Sequence, residues 1–255
     1  MSASAADHAD AARIATEAGD LLVDLRTGLQ RGMAPDEIRH LGDSRSHALI
    51  AAALAEAHPA DAVLSEEAAD RESGAAARAT APRVWIVDPL DGTREFGEEG
   101  RTDWAVHVAL VVDGTVSAAA VALPAQAMTL STSPPPSSPP AHPGRPRIVV
   151  SRTRPPALAL SVADELGAEL VPMGSAGAKA MAVVTGAVDC YLHSGGQYEW
   201  DSAAPVGVAA AAGLHTSRLD GSPLVYNRPD AWLPDLLICR RELAAAILTT
   251  AARFR

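Results

Sequence analysis

Val84-Trp-Ile-Val-Asp-Pro-Leu-Asp-Gly-Thr-Arg-Glu-Phe96 is the stretch around which this chain of 255 residues is organised. Its first half, Val84 to Val87, is apolar and β-branched and reads as a buried strand. Asp88 ends that run, and Pro89, with no N–H to offer, is expected to stop strand pairing. Asp91, Gly92 and Thr93 crowd into a turn, where Gly92 permits a backbone conformation closed to other residues. Two carboxylates, Asp88 and Asp91, are thus held close together at the mouth of a rigid strand. Like charges so placed repel unless something positive lies between them. Hard divalent cations bound by carboxylate and carbonyl oxygens meet that need.

Outward from this centre the chain alternates helical and strand patterns. Asp10 to Leu29 repeats apolar residues at helical spacing. Asp43 precedes a second helical pattern and reads as its N-cap. Val63 and Leu64 form a short strand ahead of Glu66 and Glu67, which in isolation read as a solvated helix start. Residues 68–82 read as a polar loop. Trp104 to Val112 and Val116 to Leu123 are strands, with the hairpin signal Asp113-Gly114 between them. Arg101 and Asp103 just before them are either ion-pair partners or substrate-facing groups.

Ser131 to Arg147 differs in kind, because Pro134, Pro135, Pro136, Pro139, Pro140, Pro143 and Pro146 sit among serines and small residues. Such a stretch cannot pack a core and reads as an extended loop between two halves. Arg147 to Ser151 is a strand, Pro155 to Leu166 a helix and Leu170 to Met173 a strand. Ser175 reads as the N-cap of a helix over 178–185, whose start could also hold an anion. Val188 to Leu192 is a strand. Asp201 reads as the N-cap of a small-residue helix, with Pro205 near its first turn. Asp220-Gly221 is a turn into a strand, and Leu236 to Cys239 and Leu243 to Ala252 close the chain as strand and helix.

The net charge of −10 argues against nucleic acid or a membrane surface as partner. It leaves room for an anionic small substrate, because bound metal ions reverse the local sign. Cys190 and Cys239 are too few for a disulfide framework or a zinc site and suit a reducing cytosol. The start of the chain has neither the basic residues nor the apolar core of a signal peptide, and no window has the apolar length of a membrane span. A cytoplasmic protein is expected.

Asp88-Pro-Leu-Asp-Gly-Thr93 resembles the D-P-[LI]-D-G-[ST] signature of the inositol monophosphatase superfamily, which comprises lithium-sensitive, magnesium-dependent phosphatases. Trp200-Asp201 with the alanine-rich run after it resembles the second signature of that superfamily, and Ser65-Glu66-Glu67 its G/S-E-E. Asp43 with His47 resembles the A-D-x-x-A-H of the bisphosphate-nucleotidase branch, although Arg39-His-Leu-Gly42 departs from the usual V-T-x-A. The resemblance runs from the first helix to the last. It implies an α/β fold, specifically an αβαβα layered sandwich of the inositol monophosphatase and fructose-1,6-bisphosphatase type, with a mixed sheet in each half and the metal site between. The expected organisation is an N-terminal half over 1–130, a Pro-rich loop over 131–146 and a C-terminal half over 147–255.

By that resemblance two or three Mg2+ ions are held by Glu66, Asp88, the Leu90 carbonyl, Asp91 and Asp201. Asp43 and Thr93 orient the attacking water, with Glu66 also catalytic, and the Gly92 and Thr93 N–H groups cradle the phosphate. Within the superfamily, Ser65-Glu66-Glu67, Arg94-Glu95-Phe96 and Trp200-Asp201 look most like the CysQ group, which removes the 3'-phosphate of 3'-phosphoadenosine 5'-phosphate, a by-product of sulfate assimilation. Arg94 stands where that group has lysine and is expected, with Lys179, to contact the second phosphate. Gly174, Ser175 and Lys179 lie where nucleotidases carry G-S-S-x-K, but Ala176 and Gly177 replace the serines and Ser175 comes one place early. Asp91, Gly92, Thr93 and Asp201 complete the expected substrate contacts. Inositol phosphate or fructose 1,6-bisphosphate on the same metal site is the alternative, and a non-catalytic regulatory relative is the third reading. Homodimerisation is an expectation of the family alone.

Overall fold

The structure, a computed structural model, describes residues 2–67, 78–140 and 143–254. Two sheets of five strands each carry the molecule. The first is built from β1 (Ala62–Ser65), β2 (Arg83–Asp91), β3 (Ala105–Val112), β4 (Thr115–Leu123) and β5 (Met128–Ser131), in that order. β1 and β2 are parallel and the remaining pairs antiparallel, so the sheet is mixed. The second contains β6 (Arg147–Ser151), β7 (Glu169–Met173), β8 (Cys190–Tyr198), β9 (His215–Ser217) and β10 (Trp232–Cys239), in the order β7-β6-β8-β10-β9.

β2 shows why these layers form. Its side chains alternate between faces, as the pleat demands. Trp85 and Val87 enter a core shared with α1 (Ala5–Gln30) and α2 (Pro35–Ala57), while Val84 and Ile86 enter the core on the other face. That inner core also takes in α5 (Ala176–Val184), α6 (Glu199–Ala211) and one face of the second sheet, through Val149, Tyr191, Leu236 and Ile238. The opposite face of the second sheet packs Ile148, Cys190 and Leu237 against α4 (Ala157–Leu166) and α7 (Arg241–Ala252). Helices, sheet, helices, sheet and helices alternate, which is the αβαβα arrangement. No helix among the described residues is long and apolar enough to cross a membrane.

Several boundaries differ from the sequence reading. β2 does not stop at Asp88 but runs to Asp91, with a register shift against β3 between those two residues. Pro89 is tolerated because β1 pairs with β2 only as far as Val87 and the irregularity on the β3 side needs no N–H there. α2 begins at Pro35, a residue preorganised for a first helical turn, so Asp43 lies inside the helix rather than at its N-cap. Gly42, part of the stretch that departs from the family pattern, sits mid-helix for a packing reason. A Cβ there would lie 2.8 Å from both Leu90 and Phe96. α1 begins earlier than expected, closed by a capping box between Ser4 and Asp7. The turn at Gly221 forms (φ +82°), but the chain after it is irregular, and β9 precedes the turn. The Asp113-Gly114 hairpin has both residues at positive φ, as its turn type requires. The polar loop read over 68–82 falls mostly on 68–77, outside the described residues, as do 141–142 of the Pro-rich stretch. Pro140 in that stretch accepts a hydrogen bond from Arg240.

Asp7 ties α1 to the start of β2. Arg83 Nη2 donates to it at 2.7 Å, and the same guanidinium binds Asp61 through Nε at 2.9 Å. Burial alone would raise the Asp7 carboxyl, but the hydrogen bonds from Arg83 and Ser4 overcome this and lower it to about 2. A depressed carboxyl contributes stability above its unfolded value of 3.8 and loses it as the pH falls through about 2. Asp7→Asn is expected to cost about 2 kcal/mol at neutral pH. It should also flatten the acid limb of stability in that window, read by urea denaturation across acid pH.

Candidate active site

Asp91 is the best-anchored group of the site. It ends β2 and reaches across to the start of α5. Ser175 Oγ donates to its Oδ2 at 2.5 Å and the Gly177 N–H at 2.6 Å, while the Ala176 N–H donates to Oδ1 at 3.0 Å. His107, on β3, places Nε2 3.2 Å from the same Oδ2. Burial would raise this carboxyl, yet His107, Ser175 and Lys179 together pull it far below the usual range. The α5 N-terminus, which on sequence could also have held an anion, holds the Asp91 carboxylate. Ser175 is the N-cap, as read, since its Oγ also accepts from the Ala178 N–H at 2.9 Å.

Asp88 and Asp201 join Asp91. One carboxylate oxygen from each of the three lies within 4.8 Å of the others. Asp88 is fully buried, and its Oδ1 accepts from the Leu90 N–H at 3.1 Å. Asp201 is not an N-cap. It stands third in α6, and its Oδ2 accepts from the N–H of Tyr198, the true cap residue, at 2.7 Å. Burial, with the charges of Glu66, Asp91 and Asp201, pushes Asp88 well above the carboxylate range. Burial and Asp91 push Asp201 up to about 7. Glu66 follows β1, its charge acts on Asp88, Asp201 and Asp43, and its N–H donates to the Val87 carbonyl at 3.4 Å.

The motif turn lies between α2 and α5. Gly92 has φ +84°, and a Cβ there would lie 3.0 Å from Ser175 and 3.1 Å from the Asp103 carbonyl, so both conformation and space require glycine. After it the chain makes only the single turn α3 (Thr93–Phe96). Thr93 Oγ1 lies 3.0 Å from the Leu90 carbonyl and 3.3 Å from Asp43 Oδ1. Burial and the charges of Glu67 and Glu66 raise Asp43 to about 7. α2 supports the turn from behind, with Ser46 Oγ donating to the Pro89 carbonyl at 2.6 Å. His47 Nδ1 lies 2.9 Å from Ser65 Oγ, next to Glu66. Arg101 and Asp103 form an ion pair, and Asp103 also accepts from the Gly174 N–H at 2.6 Å. Arg26 donates to the carbonyls of Phe96, Glu98 and Arg101, fixing the loop after α3.

A cleft of about 490 Å³ reaches Asp91 and Asp201 and is lined further by Lys179, His193, Gln197 and Arg154. Lys179 is buried, donates to the Ser175 carbonyl at 2.8 Å and lies over the Tyr191 ring. Arg94 is exposed and is not among the residues lining this cleft, whereas Arg154 is. Sequence reasoning passed over Arg154, His193 and Gln197. Arg154 had a signal, since it lies just past the end of β6, a parallel strand, where α/β sheets bind ligands. His193 and Gln197 had none beyond the Gly195-Gly196 pair between them.

Alternating α and β layers, with carboxylates converging beside a cleft that carries cationic side chains, define the class of metal-dependent phosphatase folds. The chain belongs to the inositol monophosphatase family, which it matches over residues 11–134 and 149–253. A relative from Mycobacterium leprae, a 3'-phosphoadenosine 5'-phosphate phosphatase, is 50% identical over 95% of this chain and 92% of its own length. The 3'(2'),5'-bisphosphate nucleotidase CysQ of Escherichia coli is 28% identical over 87% of this chain and 94% of its own. The crystal structure of CysQ from Bacteroides thetaiotaomicron superimposes with a TM-score of 0.78 at 23% identity, over 92% of this chain and 97% of that one.

Because Asp88 is buried among like charges, Asp88→Asn should raise the melting temperature of the metal-free protein by about 2–4 °C, the shift that about 1 kcal/mol makes in a chain of this size. The same change should remove most of the stabilisation that added magnesium gives the unaltered protein. Thermal melts with and without magnesium check both.

Proposed function

We propose that the protein hydrolyses the 3'-phosphate of 3'-phosphoadenosine 5'-phosphate, giving AMP and inorganic phosphate, with magnesium as cofactor. The convergence of Asp88, Asp91 and Asp201 beside the cleft carries the phosphatase reading. The nucleotide comes from the relative that is 50% identical.

The donor set fits magnesium. Its members are hard oxygens, and the upward push on Asp88 and Asp201 is the electrostatic state of a site completed by a cation. Asp88, Asp91 and Asp201 would hold it with Glu66 and the Leu90 carbonyl, in a site for two or three ions. The Leu90 carbonyl oxygen lies 3.0 Å from Thr93 Oγ1 and has lone pairs free for a cation when the single Thr93 proton is directed at Asp43. When bound, magnesium neutralises phosphate oxygens and lowers the pKa of a water molecule.

The remaining steps belong to the chain's own residues. Thr93 Oγ1 can pass its proton toward Asp43 Oδ1 and so accept a hydrogen bond from the attacking water, which orients a water lone pair toward phosphorus. The new bond joins that water oxygen to phosphorus, the bond between phosphorus and the 3'-oxygen breaks, and of the two water protons one ends on the 3'-oxygen, making the ribose hydroxyl, while the other stays on the hydrogen phosphate product. The N–H groups of Gly92 and Thr93 bind phosphate oxygens. Lys179 Nζ has hydrogens beyond the one given to Ser175, and Arg154 is exposed at the cleft, so these two cations meet the 5'-phosphate. Arg154 thereby takes the part that the sequence reading gave to Arg94.

Phosphate release with magnesium should be much faster from 3'-phosphoadenosine 5'-phosphate than from inositol 1-phosphate or fructose 1,6-bisphosphate at equal low concentration. Comparable rates on all three would sink the nucleotide assignment. Thr93→Ala should lower kcat by about 10²–10⁴-fold, the usual weight of a positioned proton acceptor. Arg154→Ala should raise KM for the bisphosphate while leaving KM for 3'-AMP, which has no 5'-phosphate, nearly unchanged.

A further inference from the structure

His107 has no part in the reaction as derived, yet its placement is specific. It lies in β3, an otherwise apolar strand, and is fully buried. A histidine so placed needs a partner at each ring nitrogen. Nδ1 lies 2.9 Å from the carbonyl oxygen of Trp200, the residue before Asp201. Nε2 lies 3.2 Å from Asp91 Oδ2, at ion-pair distance though off the line of a directed hydrogen bond. One ring therefore touches both the end of β2 and the first turn of α6, which bring two of the three clustered carboxylates from opposite halves of the chain.

Gly177 completes the arrangement. A Cβ on it would lie 2.0 Å from His107 Nε2, so the ring occupies the space that any side chain at 177 would fill. The Gly177 N–H meanwhile donates to the same Asp91 oxygen that faces the ring. Ser175 Oγ and the Gly177 N–H both donate to Oδ2, and the His107 ring edge faces the same oxygen, so Oδ2 is enclosed by the protein. Oδ1, with the Ala176 N–H alone, keeps capacity for a cation.

We infer that His107 is a positioning residue for the cation site: with Gly177 keeping its space clear, it fixes Asp91 against the Trp200–Asp201 turn so that both carboxylates meet one cation. This rests on the reading of Asp88, Asp91 and Asp201 as cation ligands. Residues of this kind, which orient ligands without touching the metal, change metal affinity by about 10–100-fold when removed.

The test is calorimetric titration of the metal-free protein with magnesium alone, beside its thermal melt. His107→Ala should weaken magnesium binding by about 10–100-fold. Gly177→Ser alone should weaken it too, by driving the ring off Asp91. His107→Ala with Gly177→Ser should bind better than either single variant, because the serine enters the vacated space and its hydroxyl can donate to Asp91. A merely structural role predicts lower melting temperatures with magnesium affinity unchanged, and that result would overturn the inference, as would a double variant no better than the worse single one. Should His107→Ala not fold, Gly177→Ala displaces the ring while keeping the interior filled, and the same weakening is expected. Asp88→Asn serves as the control. If it leaves magnesium binding intact, the cation site itself is misread and both proposals fall. If it abolishes binding while His107→Ala does not change it, only the role of His107 falls.

Discussion

The Asp91 carboxylate joins the two halves of the molecule at the site. It belongs to the last residue of β2 in the first sheet, yet its hydrogen-bond donors Ser175, Ala176 and Gly177 stand at the start of α5, after the second sheet has begun. Each charge-assisted hydrogen bond of this kind contributes on the order of 1.5–3 kcal/mol. Their sum keeps Asp91 ionised against complete burial, while Asp88 and Asp201 nearby are pushed upward. The site is therefore asymmetric. The surroundings favour the charged form of Asp91 and disfavour that of Asp88 and Asp201.

That arrangement decides what is left for substrate. The first N–H groups of α5 are directed at a side chain of the protein, so they are not open to an incoming anion. In the proposed reaction, recognition of a second phosphate would fall instead to side-chain cations. Lys179 is held in place from below, by the Ser175 carbonyl and the Tyr191 ring, and Arg154 stands at the exposed end of β6. The same economy of contacts fixes the motif turn. Asp103 pairs with Arg101 and accepts from Gly174, so the loop behind Gly92 and the approach to α5 are bound to each other as well.

How much of this was legible in the sequence depended on whether a residue's neighbours lay close in the chain. Asp88, Asp91, Gly92 and Thr93 are a local arrangement; the paired carboxylates pointed to a cation, and the resemblance of the whole motif to the family signature pointed to a phosphate. The β2 strand and the α1 helix were legible from the apolar run at Val84–Val87 and the helical spacing after Asp10, while the layering was implied by the resemblance. Asp43 was placed at the wrong point of its helix, because the apolar helical pattern begins after it while the helix itself starts at Pro35, and the Gly42 beside it serves the approach of Leu90 and Phe96 from far along the chain. Asp201 was taken for an N-cap, since a carboxylate in the first turn and one at the cap serve the same exposed N–H groups and differ in sequence by only a few positions. Arg94 was expected at the second phosphate because it stands where the CysQ group has lysine, but it is Arg154, read only as the end of a strand, that lines the cleft.

His107 and Gly177 were illegible for a deeper reason. A histidine among valines and alanines reads as a core residue, and a glycine near a helix start reads as a weakness. Each has a meaning only in the presence of the other, since the ring fills the space that the glycine leaves empty. In the expected nucleotidase pattern, position 177 would be a serine, and its replacement looked like a loss of polar contacts at that loop. The geometry gives the opposite sense. A polar group still faces Asp91 at that point, but it arrives from β3 instead of from α5. A departure from a motif thus need not weaken the site it describes, because what the chemistry constrains is a polar group facing Asp91 and not the strand or helix that carries it.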